Sequence, residues 1–185
     1  MSGVTLVGYR GCGKTTVARL LARRLGLPAI DADDVLEARA GRSIAALVAD
    51  AGEPAFRDLE SEVLAELLAG PPAVLATGGG VVLRDVNRAR LRSSGRPVIW
   101  LQADAGVIRS RLAADPTTAS RRPGLTGADP LTEVADALAA RAPLYAEVAD
   151  VAFDATSDGV ERIVESIVGW LDAGRPSGTA PENAS

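Results

Sequence analysis

The sequence predicts an α/β domain in which a parallel β-sheet is covered by helices on both faces. Two observations predict it. Short apolar runs at residues 4–7, 73–76, 98–101 and 151–153 alternate with longer segments of helical periodicity, the pattern of strands joined by helical crossovers. The glycine-rich stretch GYRGCGKT, residues 8–15, stands between the first run and the first helical segment, which places a loop at the carboxyl edge of such a sheet, where ligands bind.

The elements follow in order. Residues 4–7 form a strand, and Val17, Leu20, Leu21 and Leu25 mark the buried stripe of a helix that Gly26 ends. A second strand ends at Ile30 and delivers Asp31, Asp33 and Asp34 to its carboxyl edge. Helical pieces follow over 35–39, 44–50 and 56–69, punctuated by Gly41, Gly52 and Gly70. Strand 73–76, helix 84–93, strand 98–101 and helix 105–113 come next. Residues 114–129, rich in Asp, Pro, Thr, Ser, Arg and Gly, read as a long loop. A helix over 131–141 is expected to kink or break at Pro143, before a strand at 151–153 and a helix at 160–171. From Gly174 the chain reads as a disordered tail. The 185 residues suit one domain, over 1–173, able to bury a core without disulfides or a structural metal.

Composition removes several chemistries. The chain has no His, which excludes imidazole catalysis and His-ligated metals, and its single cysteine, Cys12, excludes an intrachain disulfide. A formal charge of -4 gives no global attraction to nucleic acid or an anionic membrane. No apolar run approaches the roughly 20 residues of a membrane span and no signal peptide is evident, so a cytoplasmic location is expected. Of 20 basic residues the only Lys is Lys14, where a compact ammonium serves in place of a planar fork.

Lys14 lies in the motif that carries the chemistry. Gly8, Gly13, Lys14 and Thr15 satisfy G-x-x-x-x-G-K-[ST] between a strand and a helix, the context that a phosphate-binding loop requires. Glycines let the backbone wrap phosphates and the helix N-terminus supplies unpaired amide donors. Lys14 is expected to reach the β- and γ-phosphates of a nucleoside triphosphate and Thr15 to ligate Mg2+. Cys12 reads as a loop-filling residue. Asp31 and Asp33 are candidates to organise the magnesium and to orient or deprotonate an acceptor hydroxyl; helix capping by Asp33 or Asp34 is the other reading. Gly78, Gly79 and Gly80 directly follow the 73–76 strand and serve either as a turn or as a place of close backbone approach to a small molecule. Arg57 and Arg141 are candidate forks for a carboxylate or phosphate, or solvated helix residues. Arg121 and Arg122, in the long loop, are candidates for a mobile cap that closes over ATP.

With these motifs in hand the chain resembles a shikimate kinase. The resemblance runs over most of residues 4–171 and rests on GYRGCGKTT, the DAD of residues 31–33, GRSIAAL, GEPAFRDLE, the GGG of residues 78–80, the RRP of residues 121–123 and RAPLY of residues 141–145, in that order. It implies a P-loop kinase fold of the nucleoside monophosphate kinase-like class, with a five-stranded parallel sheet flanked by helices and a lid at about 114–128. It also implies ATP-dependent phosphorylation of the 3-hydroxyl of shikimate, giving shikimate 3-phosphate and ADP. By the same resemblance the cofactor-binding residues are Gly11, Cys12, Gly13, Lys14, Thr15, Thr16, Arg111 and Arg122; Thr15 and Asp31 hold Mg2+; Asp33, Arg57, Gly78, Gly79, Gly80 and Arg141 bind substrate; and Lys14, Asp33 and Arg122 are catalytic. The sequence departs from the family in its lid, RRPGLTG, and in the loop ATSDG after the last strand, which lacks a basic residue found in some relatives. A monomer with a small-molecule substrate and no nucleic-acid or membrane partner is expected. The rival readings are another small-molecule kinase, such as a gluconate kinase, and a non-catalytic ATP-binding module.

Overall fold

A computed structural model of the chain describes residues 3–114 and 130–174. Five short strands, β1 (Val4–Val7), β2 (Ala29–Asp31), β3 (Val74–Ala76), β4 (Val98–Gln102) and β5 (Val151–Asp154), pair in the order β2-β3-β1-β4-β5. Every pairing is parallel, with Leu6 of β1 level with Ala76 of β3 and Ile99 of β4. The helices are α1 (Lys14–Leu25), α2 (Ala32–Ala40), α3 (Ile44–Ala69), α4 (Asp85–Ser93), α5 (Ala105–Ala114), α6 (Pro130–Val148) and α7 (Val160–Asp172).

Alternation along the central strand sorts the two layers. Val4 and Leu6 pack with Val17, Leu21, Ile163 and Ile167, which puts α1 and α7 on one face. Val7 points the other way, into Leu64, Leu91, Tyr145 and Val148 from α3, α4 and α6. All four residues of β1 are buried, as a central parallel strand requires. A third cluster, Leu36, Ile44, Leu47, Phe56 and Val63, locks α2 onto α3 beside the sheet.

Of three local features, the first follows the sequence reading and the other two differ from it. The pieces expected at 44–50 and 56–69 form α3, interrupted at Gly52, whose φ of 84° and ψ of 164° lie outside the helical region, with Pro54 at the start of the second piece. Helix α6 runs on through Pro143 to Val148; Tyr145 and Val148, buried against the sheet, hold that last turn in place. A 3-10 turn at Val81–Leu83, unforeseen, follows the glycine triplet. The loop expected at 114–129, with its lid and Arg121 and Arg122, and the tail after Gly174 lie outside the described residues, apart from Ala114 at the end of α5. No helix among the described residues is long and apolar enough to cross a membrane.

This strand order makes the site. β2, β3 and β1 are neighbours, so the loops that leave their carboxyl ends emerge side by side: the aspartates after β2, the glycine triplet after β3 and the phosphate loop after β1. The helices that follow β1 and its neighbour β3 lie on opposite faces of the sheet, so the switch point where open α/β sheets bind ligands falls between these two strands.

Candidate active site

The phosphate loop is wrapped as its glycines permit. Gly8, Gly11 and Gly13 all have positive φ, at 143°, 80° and 99°, conformations that side chains resist. Gly13 is the left-handed N-cap of α1 and offers no side-chain cap, so the first-turn amides of Lys14, Thr15 and Thr16 lack an intrahelical acceptor and face an anion site. The Lys14 side chain is buried at 8% exposure. Its ammonium donates to Gly8 O at 2.8 Å and Tyr9 O at 2.9 Å, with Cys12 Sγ at 3.7 Å. Among the described residues no carboxylate forms a salt bridge with it, so its charge remains for phosphate. Cys12 is buried and fills the loop, as its position suggested.

Arg111 braces this loop from outside. Its guanidinium donates to Cys12 O at 3.4 Å and to Ala155 O at 2.8 Å, which ties the phosphate loop to the segment after β5. An Arg so placed fixes the loop's far wall.

Thr15 and Asp31 meet as the sequence suggested. Thr15 Oγ1 donates to Asp31 Oδ2 at 2.7 Å, while Asp31 Oδ1 accepts from the backbone N–H of Asp33 at 3.0 Å. Asp31 is therefore the N-cap of α2, the task expected of Asp33 or Asp34. That bond sets the half-buried Asp33 in the first turn, next to Asp31. The hydroxyl and carboxylate are hard oxygen donors side by side and fit Mg2+, which keeps several waters and takes phosphate oxygens. Among the described residues no group of three His, Cys, Asp or Glu forms a self-sufficient metal cage.

Two guanidinium groups flank the glycine triplet. A Cβ on Gly80 would collide with the Arg57 guanidinium, and a Cβ on Gly79 would lie 2.8 Å from Arg10 N of the phosphate loop. Gly79 is thus required by the close approach of backbone, whereas at Gly80 the crowding atoms are the end of a side chain. Arg57 is held between Glu60, 2.8 Å away, and Glu53, 3.0 Å away, with its guanidinium carbon 4.7 Å from the Phe56 ring centroid. Arg141 reaches from α6: its Nη1 donates to Gly79 O at 3.3 Å and its guanidinium carbon lies 5.1 Å from the Tyr9 ring centroid. The structure therefore brings together residues 79, 80, 57 and 141 against the phosphate loop. Gly78 accepts a bond from Val81 N and turns the chain into the 3-10 turn. A cavity of about 710 Å3, lined by residues that include Tyr9, Trp100, Gln102, Tyr145 and Asp154, opens beyond Tyr9 toward β4 and β5; none of the candidate acceptor residues lines it.

Sequence reasoning missed several members of this site. Glu53 and Glu60, four residues before and three after Arg57, orient its fork, a spacing visible in GEPAFRDLE. Tyr145 donates from its hydroxyl to Gly79 O at 2.5 Å, and burial pushes its phenol well above the usual tyrosine range, against the opposing charge of Arg141. Its signal was the four-residue step from Arg141 in RAPLY, which puts both on one helical face.

The shikimate kinase family model matches residues 10–172. A shikimate kinase of Rhodopirellula baltica is 44% identical over 163 residues, which cover 88% of this chain and 87% of that protein. The structure of a shikimate kinase from Acinetobacter baumannii in complex with shikimate superposes with a TM-score of 0.87 at 32% identity, over 96% of each chain. A gluconokinase from Sinorhizobium meliloti, at 18% identity and a TM-score of 0.54, shares the fold alone. The chain belongs to the shikimate kinase family.

Proposed function

We propose the following division of labour for the reaction of this family, transfer of the γ-phosphoryl group of ATP to the 3-hydroxyl of shikimate. Lys14 and the first-turn amides of α1 hold the β- and γ-phosphates and offset their charge. Thr15 and Asp31 would hold Mg2+, which would supply positive charge against the charge that develops on the transferring phosphoryl group. Arg57 and Arg141 clasp the shikimate carboxylate, and the amides of Gly79 and Gly80 line the ring between them. Gly78 sets the turn that presents those amides. With one end of the substrate fixed, Asp33 orients the 3-hydroxyl in line with the γ-phosphorus and stands ready to take its proton. The hydroxyl oxygen then bonds to phosphorus as the bond to the ADP oxygen breaks. Arg122, outside the described residues, is assigned by the family resemblance to the phosphates of ATP, and Arg111 steadies the nucleotide side. All these residues come from one chain, so the reading needs no partner subunit.

The observation that carries the proposal is the convergence of Arg57 from α3 and Arg141 from α6 on Gly79 and Gly80, beside a complete phosphate loop. A binding-only module has no use for an acceptor clamp there. A coupled ADP-release assay with ATP, Mg2+ and, in turn, shikimate, gluconate and nucleoside monophosphates tests it. Turnover is expected with shikimate. Efficient use of another acceptor with none of shikimate overturns the reading.

A further inference from the structure

We infer that Tyr145 is a positioning residue for the acceptor site: its hydroxyl pins the Gly79–Gly80 peptide so that the Gly80 N–H is presented to substrate. The inference rests on the reading of residues 79–80 as a substrate loop and adds a device that holds it in register.

A peptide between two glycines turns over more readily than any other, because no Cβ opposes it. Turning it over swaps the directions of its C=O and N–H, which point opposite ways across a trans peptide. Here the C=O of Gly79 is turned toward α6, where it accepts Tyr145 Oη at 2.5 Å and Arg141 Nη1 at 3.3 Å. The Gly80 N–H is therefore turned away from α6. It donates to no backbone or side-chain acceptor among the described residues, which leaves it for a ligand.

The two donors are unequal. Arg141 is the longer bond, and the proposed carboxylate clamp draws on that same guanidinium. Tyr145 has no such competing task. Its side chain is 1% exposed and its ring stacks on Trp100 of β4, centroids 5.6 Å apart and planes at 28°. Burial keeps the phenol protonated, so it donates and the carbonyl must accept. Helix α6 is itself anchored to α4 through Glu147, which pairs with Arg88 at 2.7 Å and with Arg92. When Arg141 turns to the carboxylate, Tyr145 alone keeps the peptide from turning over.

The test is Tyr145→Phe, which keeps the ring and its stacking and removes only the hydroxyl, with steady-state kinetics for both substrates and Arg57→Ala run alongside. The expected result is a rise of about three- to ten-fold in KM for shikimate, the scale of one lost hydrogen bond, with KM for ATP within twofold of the parent. Unchanged KM for shikimate, or an equal change in both KM values, overturns the role. If Arg57→Ala also leaves KM for shikimate unchanged, the acceptor-site reading itself has failed. A second measurement needs no variant: the Gly80 amide resonance of the unaltered protein is expected to move on addition of shikimate. An amide that does not respond overturns the proposal.

Discussion

The hydroxyl of Thr15 donates to the carboxylate of Asp31 at 2.7 Å, which joins the first turn of α1 to the end of β2. This contact places side by side the two residues proposed to hold Mg2+. Asp31→Asn tests it with little cost to the fold, because Asn caps a helix as well as Asp does. The substitution is expected to raise the Mg2+ concentration for half-maximal activity about 10- to 100-fold with the melting temperature close to the parent. Unchanged magnesium dependence removes Asp31 from the metal site.

The two clamp arginines are expected to differ in stability and agree in function. Arg57→Ala and Arg141→Ala should each lower kcat/KM for shikimate by about 10- to 100-fold, as loss of a charged hydrogen bond implies, with KM for ATP little changed. Arg57 also pairs with Glu60, which is 5% exposed. Its removal strips a buried carboxylate of a cation, a costly loss, so Arg57→Ala should melt at a lower temperature than Arg141→Ala. Thermal melts of the two variants beside their kinetics check both statements.

The glycine loop separates backbone crowding from side-chain crowding. A methyl on Gly79 meets the backbone N of Arg10, whereas a methyl on Gly80 meets the guanidinium end of the Arg57 side chain. Gly79→Ala is expected to lose both stability and activity. Gly80→Ala, which displaces a side chain the clamp needs, should lose shikimate affinity with a smaller change in melting temperature. The opposite ranking would contradict the packing described.

Thr5, in the middle of the central strand, is fully buried and its hydroxyl has no hydrogen-bond partner among the described residues. Val has the same shape without the unsatisfied group. Thr5→Val is expected to stabilise the domain by about 1 kcal/mol, a rise of roughly 2–4 °C in melting temperature for a chain of this size. Activity should not change.

Much of this was legible in the chain because it is local. The phosphate loop is written in consecutive residues, and strand and helix periods around it fixed where the loop stands. Short apolar runs gave the parallel strands within a residue or two. What escaped depends on contacts between distant segments. Nothing near Tyr145 in sequence shows that its hydroxyl meets Gly79, since 66 residues separate them. Arg111 reaches Cys12 and Ala155 only through the packing of α5 beside the phosphate loop. Pro143 argued for a kink or a break on local grounds; the helix does not end there, and burial of Tyr145 and Val148 accompanies its last turn. The cap falls at Asp31, two or three residues before the expected Asp33 or Asp34, because helix α2 begins sooner than its apolar pattern does.

The central claim is that donor and acceptor halves meet so that one hydroxyl of shikimate is phosphorylated. Phosphorus NMR of the product formed from shikimate, ATP and Mg2+ tests it most directly. A single monoester coupled to the proton on carbon 3 is expected, formed at least about 100-fold more slowly by Lys14→Ala. A phosphate on another hydroxyl, or no shikimate phosphate while another acceptor is consumed, would contradict it.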